Sequence, residues 1–186
     1  MRPLEVIGRH YDASSPLYEI LVVHSVLVAA KAAEIAERHL ERRPGTRIDL
    51  EFLAEAALLH DVGIKFCEGE GLPSEGREPY VRHGVLGAEL LREEGLPRHA
   101  LVCERHVGAG ISREEVIRRG LPLEPKDYLP TSAEEKIVCA ADKFFSKDPG
   151  RIWREKPLAK IEKSLGKHGD EVLARWRSLA REFLEP

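Results

Sequence analysis

Four imidazole or carboxylate side chains fall where the helical pattern of this chain demands an apolar core. His24 stands in ILVVHSVLV, His60 and Asp61 in AALLHDVGI, and Asp142 in IVCAADKFF. A bare imidazole or carboxylate in an apolar interior is costly unless something pairs with it, and Asp is almost never fully buried unpaired. A fold built on these segments must bring such groups to one another, to a core base, or to a shared cation. His83 and His106, at the start and the end of two further helical segments, complete a set of six.

Helical periodicity runs through the whole chain and predicts an all-α fold. A long helix is expected over 16–42, opened by Ser14-Ser15 and Pro16 and closed before Pro44-Gly45. Asp49 is a candidate N-cap for a second helix over 50–65, rich in Ala and Leu and suited to a central, buried position. Residues 67–80 are rich in Gly, Pro and Glu and read as a loop, placed to act as a lid beside the candidate site. Further helices are expected over 82–94, 97–106, with Gly108 and Gly110 beyond its end, and 112–119. A Pro-rich connector leads to 133–147, opened by a capping-box pattern at Ser132 and Glu135. Two C-terminal helices follow, about 155–166 and 170–184. Val172, Trp176, Leu179 and Phe183 in the second recur at helical spacing, as a packing stripe does. No strand, repeat or linker stands out.

The length of 186 residues suits one domain, with a core over about 16–147 and a helical extension over about 151–186. Net charge is -3, which carries no basic excess of the nucleic-acid-binding kind. No run approaches the ~18 apolar residues of a membrane span, and the first dozen residues hold no apolar stretch of the leader type. Cys67, Cys103 and Cys139 are odd in number and form no C-x-x-C pair, so a reducing cytoplasm is the expected setting. His10, His39, His99 and His168 have polar neighbours and read as surface residues.

A His-Asp dipeptide is expected by chance about 0.3 times in a chain of this composition, so His60-Asp61 draws its meaning from its apolar setting. Bland readings exist for each position. They are a buried His-Asp pair at 60–61, a salt bridge from Asp142 to a core Lys or Arg, a satisfied core histidine at 24, and capping or surface roles for His83 and His106. As a set, mixed imidazole and carboxylate ligands without thiolate suit a divalent metal, with Fe or Mn favoured and Mg, Zn, Ni or Co as alternatives. Six ligands exceed the needs of one ion. Two ions bridged by Asp61, about 3.5–4 Å apart, acidify the attacking water and clamp the attacking and leaving oxygens of a phosphoryl group. Cys139 shares the Asp142 face and reads as core filler.

His24, the pair His60-Asp61 and Asp142 resemble the H…HD…D pattern of the HD-domain metal-dependent phosphohydrolase superfamily, and LLHDVGI (58–64) resembles its HDIG form. The resemblance covers about residues 16–147. It implies a helical bundle with metal held between central helices. His83 and His106 are similar to the two extra histidines that bind a second metal in dinuclear members. A GYP-type motif, the mark of the cyclic-di-GMP phosphodiesterase branch, is missing. Val62-Gly63-Ile64-Lys65 departs from the HD-x-x-E-D pattern of stringent-response hydrolases.

The resemblance implies hydrolysis of a nucleotide or other small phosphoester. Asp61 and Lys65 are the catalytic candidates. Lys65 lies four residues after Asp61, on one helix face if the helix continues, where it meets a phosphate or neutralises the ligand carboxylates. Arg82 and Lys143 adjoin ligands and join Lys65 as substrate-binding candidates, although neighbouring helix residues diverge by ~100°. The same ligand set is used by di-iron oxygenases that resemble these proteins. A non-catalytic metal- or nucleotide-binding module is the third reading. A homo-oligomer is compatible with the sequence.

Overall fold

The longest apolar stripe sets the frame. In the computed structural model, which describes residues 2–69 and 71–185, helix α2 (Pro16–Arg42) buries Leu17, Leu21, His24, Val28, Ala32, Ile35 and His39 at three- and four-residue spacing. Ser15 caps its first turn by accepting from Tyr18 N, and Pro16 sits where no backbone donor is needed. α3 (Leu50–Leu59) packs along α2, with Asp49 accepting from Phe52 N as its cap. α4 (His83–Glu93), α5 (Pro97–Arg105), α6 (Arg113–Arg119) and α7 (Ala133–Asp142) follow. α8 (Leu158–Gly166) and α9 (Asp170–Phe183) complete the chain. An N-terminal helix, α1 (Pro3–His10), which the sequence reading left unassigned, buries Val6 and Ile7. The described residues are all helical apart from loops and three isolated β-bridges. No helix among them is long and apolar enough to cross a membrane.

Several boundaries differ from expectation. The helix expected over 50–65 stops at Leu59. Asp61 leaves helical geometry at φ -110°, ψ 9°, and Val62–Phe66 form a 3-10 turn. The helix expected over 133–147 ends at Asp142, because Phe144 and Phe145 turn into the core. Pro157 delays the next helix to Leu158. Ser132 does accept from Glu135 N, but the Glu135 carboxylate goes to Thr131 N and Arg105, so only half of the expected box forms. A complete box closes at Ser112 and Glu115 instead. Residues 67–80 form a loop as expected, ending in a 3-10 turn at Tyr80–Arg82. Glu70, Met1 and Pro186 lie outside the described residues.

Two apolar clusters flank the centre of the molecule. One joins α2, α3 and α7 to the stripe of Val172, Trp176, Leu179 and Phe183 on α9. The other joins α1 to the 3-10 turn, α4 and α5. Within the second cluster the 3-10 turn meets α4 at backbone distance. A Cβ on Gly63 would stand 2.1 Å from His83 O and 2.4 Å from Gly87 N, and one on Gly87 would stand 2.5 Å from Cys103 Sγ. These two glycines let the turn after Asp61 lie directly on the first turns of α4. Tyr11 braces it from the other side, donating to Val62 O at 2.7 Å and accepting from Lys65 N at 3.2 Å.

Gly63→Ala is therefore expected to cost about 1–3 kcal/mol in urea unfolding, because backbone must move. Gly8→Ala, where a Cβ meets nothing within 4 Å, is expected to be neutral or stabilising by up to about 1 kcal/mol. Equal stabilities for the two variants would contradict this packing.

Candidate metal centre

The six polar residues arrive from different elements. His24 lies mid-way along α2, His60 and Asp61 at the break after α3, His83 at the first position of α4, His106 just past α5, and Asp142 at the last position of α7. Each is at most 8% exposed. The structure brings all six together as two groups that share Asp61: His24, His60, Asp61 and Asp142, and Asp61, His83 and His106.

The two oxygens of Asp61 divide the site. Oδ2 lies 3.1 Å from His24 Nε2 and 3.2 Å from His60 Nε2. Oδ1 lies 3.3 Å from the Nε2 atoms of both His83 and His106. Asp142 Oδ1 closes the first group at 3.0 Å from His24 Nε2 and 3.5 Å from His60 Nε2. The helix break makes this possible: a side chain on a continued α3 would follow the helix phase rather than turn between the two histidine pairs.

Three of the imidazoles are oriented identically. Nδ1 of His60 donates to Ala57 O at 2.7 Å, Nδ1 of His83 to Tyr80 O at 2.6 Å, and Nδ1 of His106 to Cys103 O at 2.7 Å. Each bond reaches the carbonyl three residues back, fixes the ring, and puts the ligand lone pair on Nε2, as metal-binding histidines require. His83 Nε2 and His106 Nε2 then stand 3.0 Å apart. With both Nδ1 atoms occupied, two lone pairs face each other unless a proton on one ring or a bound cation comes between them. His60 Nε2 and both oxygens of Asp61 are buried without a hydrogen-bond partner. Buried polar atoms are nearly always satisfied in native proteins, and a bound cation satisfies all of these. The donor set therefore fits a divalent metal.

The electrostatics agree. Burial pushes the His60 imidazole down, but the Asp61 and Asp142 carboxylates outweigh it and raise its pKa to about 9. A proton stands there unless a metal replaces it. Burial lowers His106 to about 3, so it stays neutral and able to ligate. Burial alone would raise Asp61 and Asp142. The charges of His60 and Lys147 on the first, and of Lys143 and Lys147 on the second, hold both well below the usual carboxylate range.

The basic candidates part company. Lys143 reaches the cluster, contacting Asp142 Oδ2 and donating to His106 O at 3.2 Å. It is the core salt bridge left open for Asp142, yet it does nothing for the His83–His106 side. Lys65 is directed elsewhere: its Nζ donates to His10 O at 2.6 Å, over the rings of Tyr11 and Phe66. The expectation that it shares a face with Asp61 fails because the 3-10 turn does not keep α-helical phase. Arg82 pairs with Glu78 at 2.6 Å, away from the six. Lys147, which the sequence reading passed over, stands 2.6 Å from Asp61 Oδ2 and 3.7 Å from Asp142 Oδ1, only 15% exposed. Its signal was available: a basic residue closing the apolar run in KFFSK needs a buried carboxylate. Cys139 is buried among backbone carbonyls, its thiol on His106 O and Gly108 O. Two histidines expected at the surface are buried instead. His39 continues the α2 stripe and packs on Phe183, and His99 packs edge-on against Phe52.

The family model for the HD domain matches residues 21–146, a span that contains all six candidate ligands. An uncharacterized protein of Methanocaldococcus jannaschii is 40% identical over 155 residues, covering 83% of this chain and 82% of that one. Two tRNA (cytidine(56)-2'-O)-methyltransferases are also similar. The one from Thermoplasma volcanium is 35% identical over 131 residues, and the one from Picrophilus torridus 39% over 136. The matches cover 70% and 73% of this chain but 33% and 35% of theirs, so the chain spans about a third of each methyltransferase. No solved structure matches. The matched span and the ligand pattern within it agree: this chain belongs to the HD domain family.

Proposed function

We propose that this protein is a metal-dependent phosphohydrolase that cleaves a small phosphoester, a nucleotide by preference, at two divalent ions held on either side of Asp61. The single observation that carries the reading is the division of the Asp61 carboxylate, one oxygen facing His24 and His60, the other facing His83 and His106. His24, His60 and Asp142 would hold one ion with Asp61 Oδ2, and His83 and His106 the other with Oδ1. Mn or Fe suits this thiolate-free set. When bound, such ions supply positive charge that polarises a phosphoryl group and acidifies water.

The chain's own residues support an anionic substrate. A cavity of about 250 Å³ opens beside Asp142, lined by Tyr80, Lys143, Ser146, Lys147, Lys156 and Ser164 among others. Three lysines stand in its walls, Lys143 and Lys147 with their ammonium groups on the ligand carboxylates and Lys156 with its own on the Phe145 and Lys143 carbonyls, and their positive charge favours phosphate oxygens. Lys143 and Lys147 bind and orient the phosphate next to the ligands. Burial disfavours the charge on Lys147, but Asp61, Tyr80 and Asp142 outweigh it and keep it protonated, so it can hold a proton for the departing oxygen. Asp61 orients the two histidine pairs. The cationic cavity favours phosphoryl chemistry over the oxidative reading, which needs the same six ligands. The methyltransferase names belong to chains three times as long as the matched region, and the reading rests on the ligand set instead.

The Mn-loaded protein is expected to hydrolyse nucleoside monophosphates or simple phosphoesters without consuming oxygen. His83→Ala and Asp61→Ala should each lower kcat/KM on the order of 10³-fold, since each removes several kcal/mol of charge stabilisation. Turnover that survives both substitutions, or that tracks oxygen uptake, removes the hydrolase assignment.

Metal affinity should depend on pH in a defined direction. With His60 raised to about 9, a metal must expel its proton at neutral pH, so apparent affinity should climb by up to about tenfold per pH unit from pH 6 and level off near 9. Calorimetry in buffers of different ionisation enthalpy reads the released proton. Affinity that is flat across this range would show that His60 is not displaced.

A further inference from the structure

A second cavity, of about 290 Å³, shares Tyr80 as a wall with the lysine-lined one. Tyr80 is fixed to the metal centre: its ring lies on His83 at 4.5 Å and its carbonyl accepts from His83 Nδ1. The rest of the second cavity is largely apolar, with Val81, Val107, Ile111, Leu121 and Val172 among its lining residues. Its volume is at the low end of ligand-binding cavities, roughly 300 Å³ and upward, enough for one ring system.

Glu115, Arg119 and His168 interrupt this apolar lining. Glu115 is fully buried, and its Oε2 is already occupied, accepting from Ser112 N at 3.0 Å and from Arg175 Nη2 at 2.5 Å. Its Oε1 has no hydrogen-bond partner, and the nearest cation to it, Arg119 Nη1, is 4.0 Å away. A buried carboxylate oxygen left without a donor is rare in native proteins and calls for a partner from outside the chain. The capping box and Arg175, which also donates to Gly110 O at 2.9 Å, hold the group rigid, so it cannot turn to find a partner of its own.

We propose that this second cavity is the base subsite of the phosphoester site. A planar heterocycle packs between Tyr80 and the apolar side chains, and one exocyclic amino group donates to Glu115 Oε1. The chemistry is graded along the two cavities: ammonium groups for the phosphate, apolar surface for a ring, and a lone acceptor for an N–H. The substrate class that matches all three is a nucleotide with an amino-bearing base. This assignment rests on the phosphohydrolase reading for the phosphate end alone. The base subsite can be probed without any turnover.

The test uses the full chain with two nucleosides, adenosine and purine riboside, which differ by the amino group, and measures binding by equilibrium dialysis. The wild type is expected to bind adenosine about tenfold or more tightly over purine riboside, as a donor to a charged acceptor should give. Glu115→Gln keeps the shape, but Ser112 N and Arg175 hold its carbonyl oxygen in the Oε2 place and turn its NH₂ to the cavity. The preference for adenosine should disappear. Leu121→Trp, at a half-buried position on the rim, should fill the cavity and weaken both nucleosides at least tenfold. Equal binding of the two nucleosides by the wild type, or binding unchanged by Leu121→Trp, overturns the proposal, and neither readout depends on Glu115→Gln folding. AMP hydrolysis separates the two ideas. Turnover unaffected by Leu121→Trp sinks the subsite and leaves the reaction standing. A retained adenosine preference with no hydrolysis of any phosphoester sinks the reaction and leaves the subsite.

Discussion

Everything at the centre of this protein turns on one buried carboxylate. Asp61 is fully buried, and imidazole nitrogens from four different segments face its two oxygens at 3.1–3.3 Å. Such an arrangement is electrostatically untenable without positive charge at its middle. On the Oδ2 side Lys147 and a protonated His60 supply some. On the Oδ1 side His106 is held neutral by burial and supplies none. The asymmetry marks the space between Oδ1 and the His83–His106 pair as the place where the proposed second cation would relieve most.

The surrounding architecture serves that arrangement. α3 must end at Leu59 so that Asp61 can turn between the histidine pairs, and the 3-10 turn that follows must lie on α4 at backbone distance, which Gly63 and Gly87 permit. Three i−3 carbonyl bonds set the histidine rings before any ligand arrives. The C-terminal helices are joined to the same task. Trp176 and Phe183 complete the core beneath α2 and α7, and Arg175 ties α9 to the turn that follows His106. Preorganisation of this kind spares the metal and the substrate the cost of ordering their own site.

Much of this was legible in the residue order, for a physical reason. His24, His60, Asp61 and Asp142 stand out because a polar residue inside an apolar helical stripe has few stable explanations, and the long stripe of α2 and the N-caps at Ser15 and Asp49 follow from local chemistry. What escaped was what depends on geometry beyond the local period. The helix break at Asp61 comes from packing against α4, so the phase that linked Lys65 to Asp61 did not survive it, and Lys147 took the place beside the carboxylate. His39 and His99 have polar neighbours along the chain, yet tertiary packing against Phe183 and Phe52 buries them. The second cavity draws its walls from the regions near 80, 107–121 and 168–172. No window of sequence contains them together, so it had no signal to read.

The central claim is that one carboxylate holds a cation on each of its two sides. Anomalous diffraction from crystals of the Mn-loaded protein addresses it directly. Two peaks are expected, one between Asp61 Oδ2, His24, His60 and Asp142, and the other between Asp61 Oδ1, His83 and His106. No ordered metal, or a single ion with His83 and His106 turned away from Asp61, would contradict it.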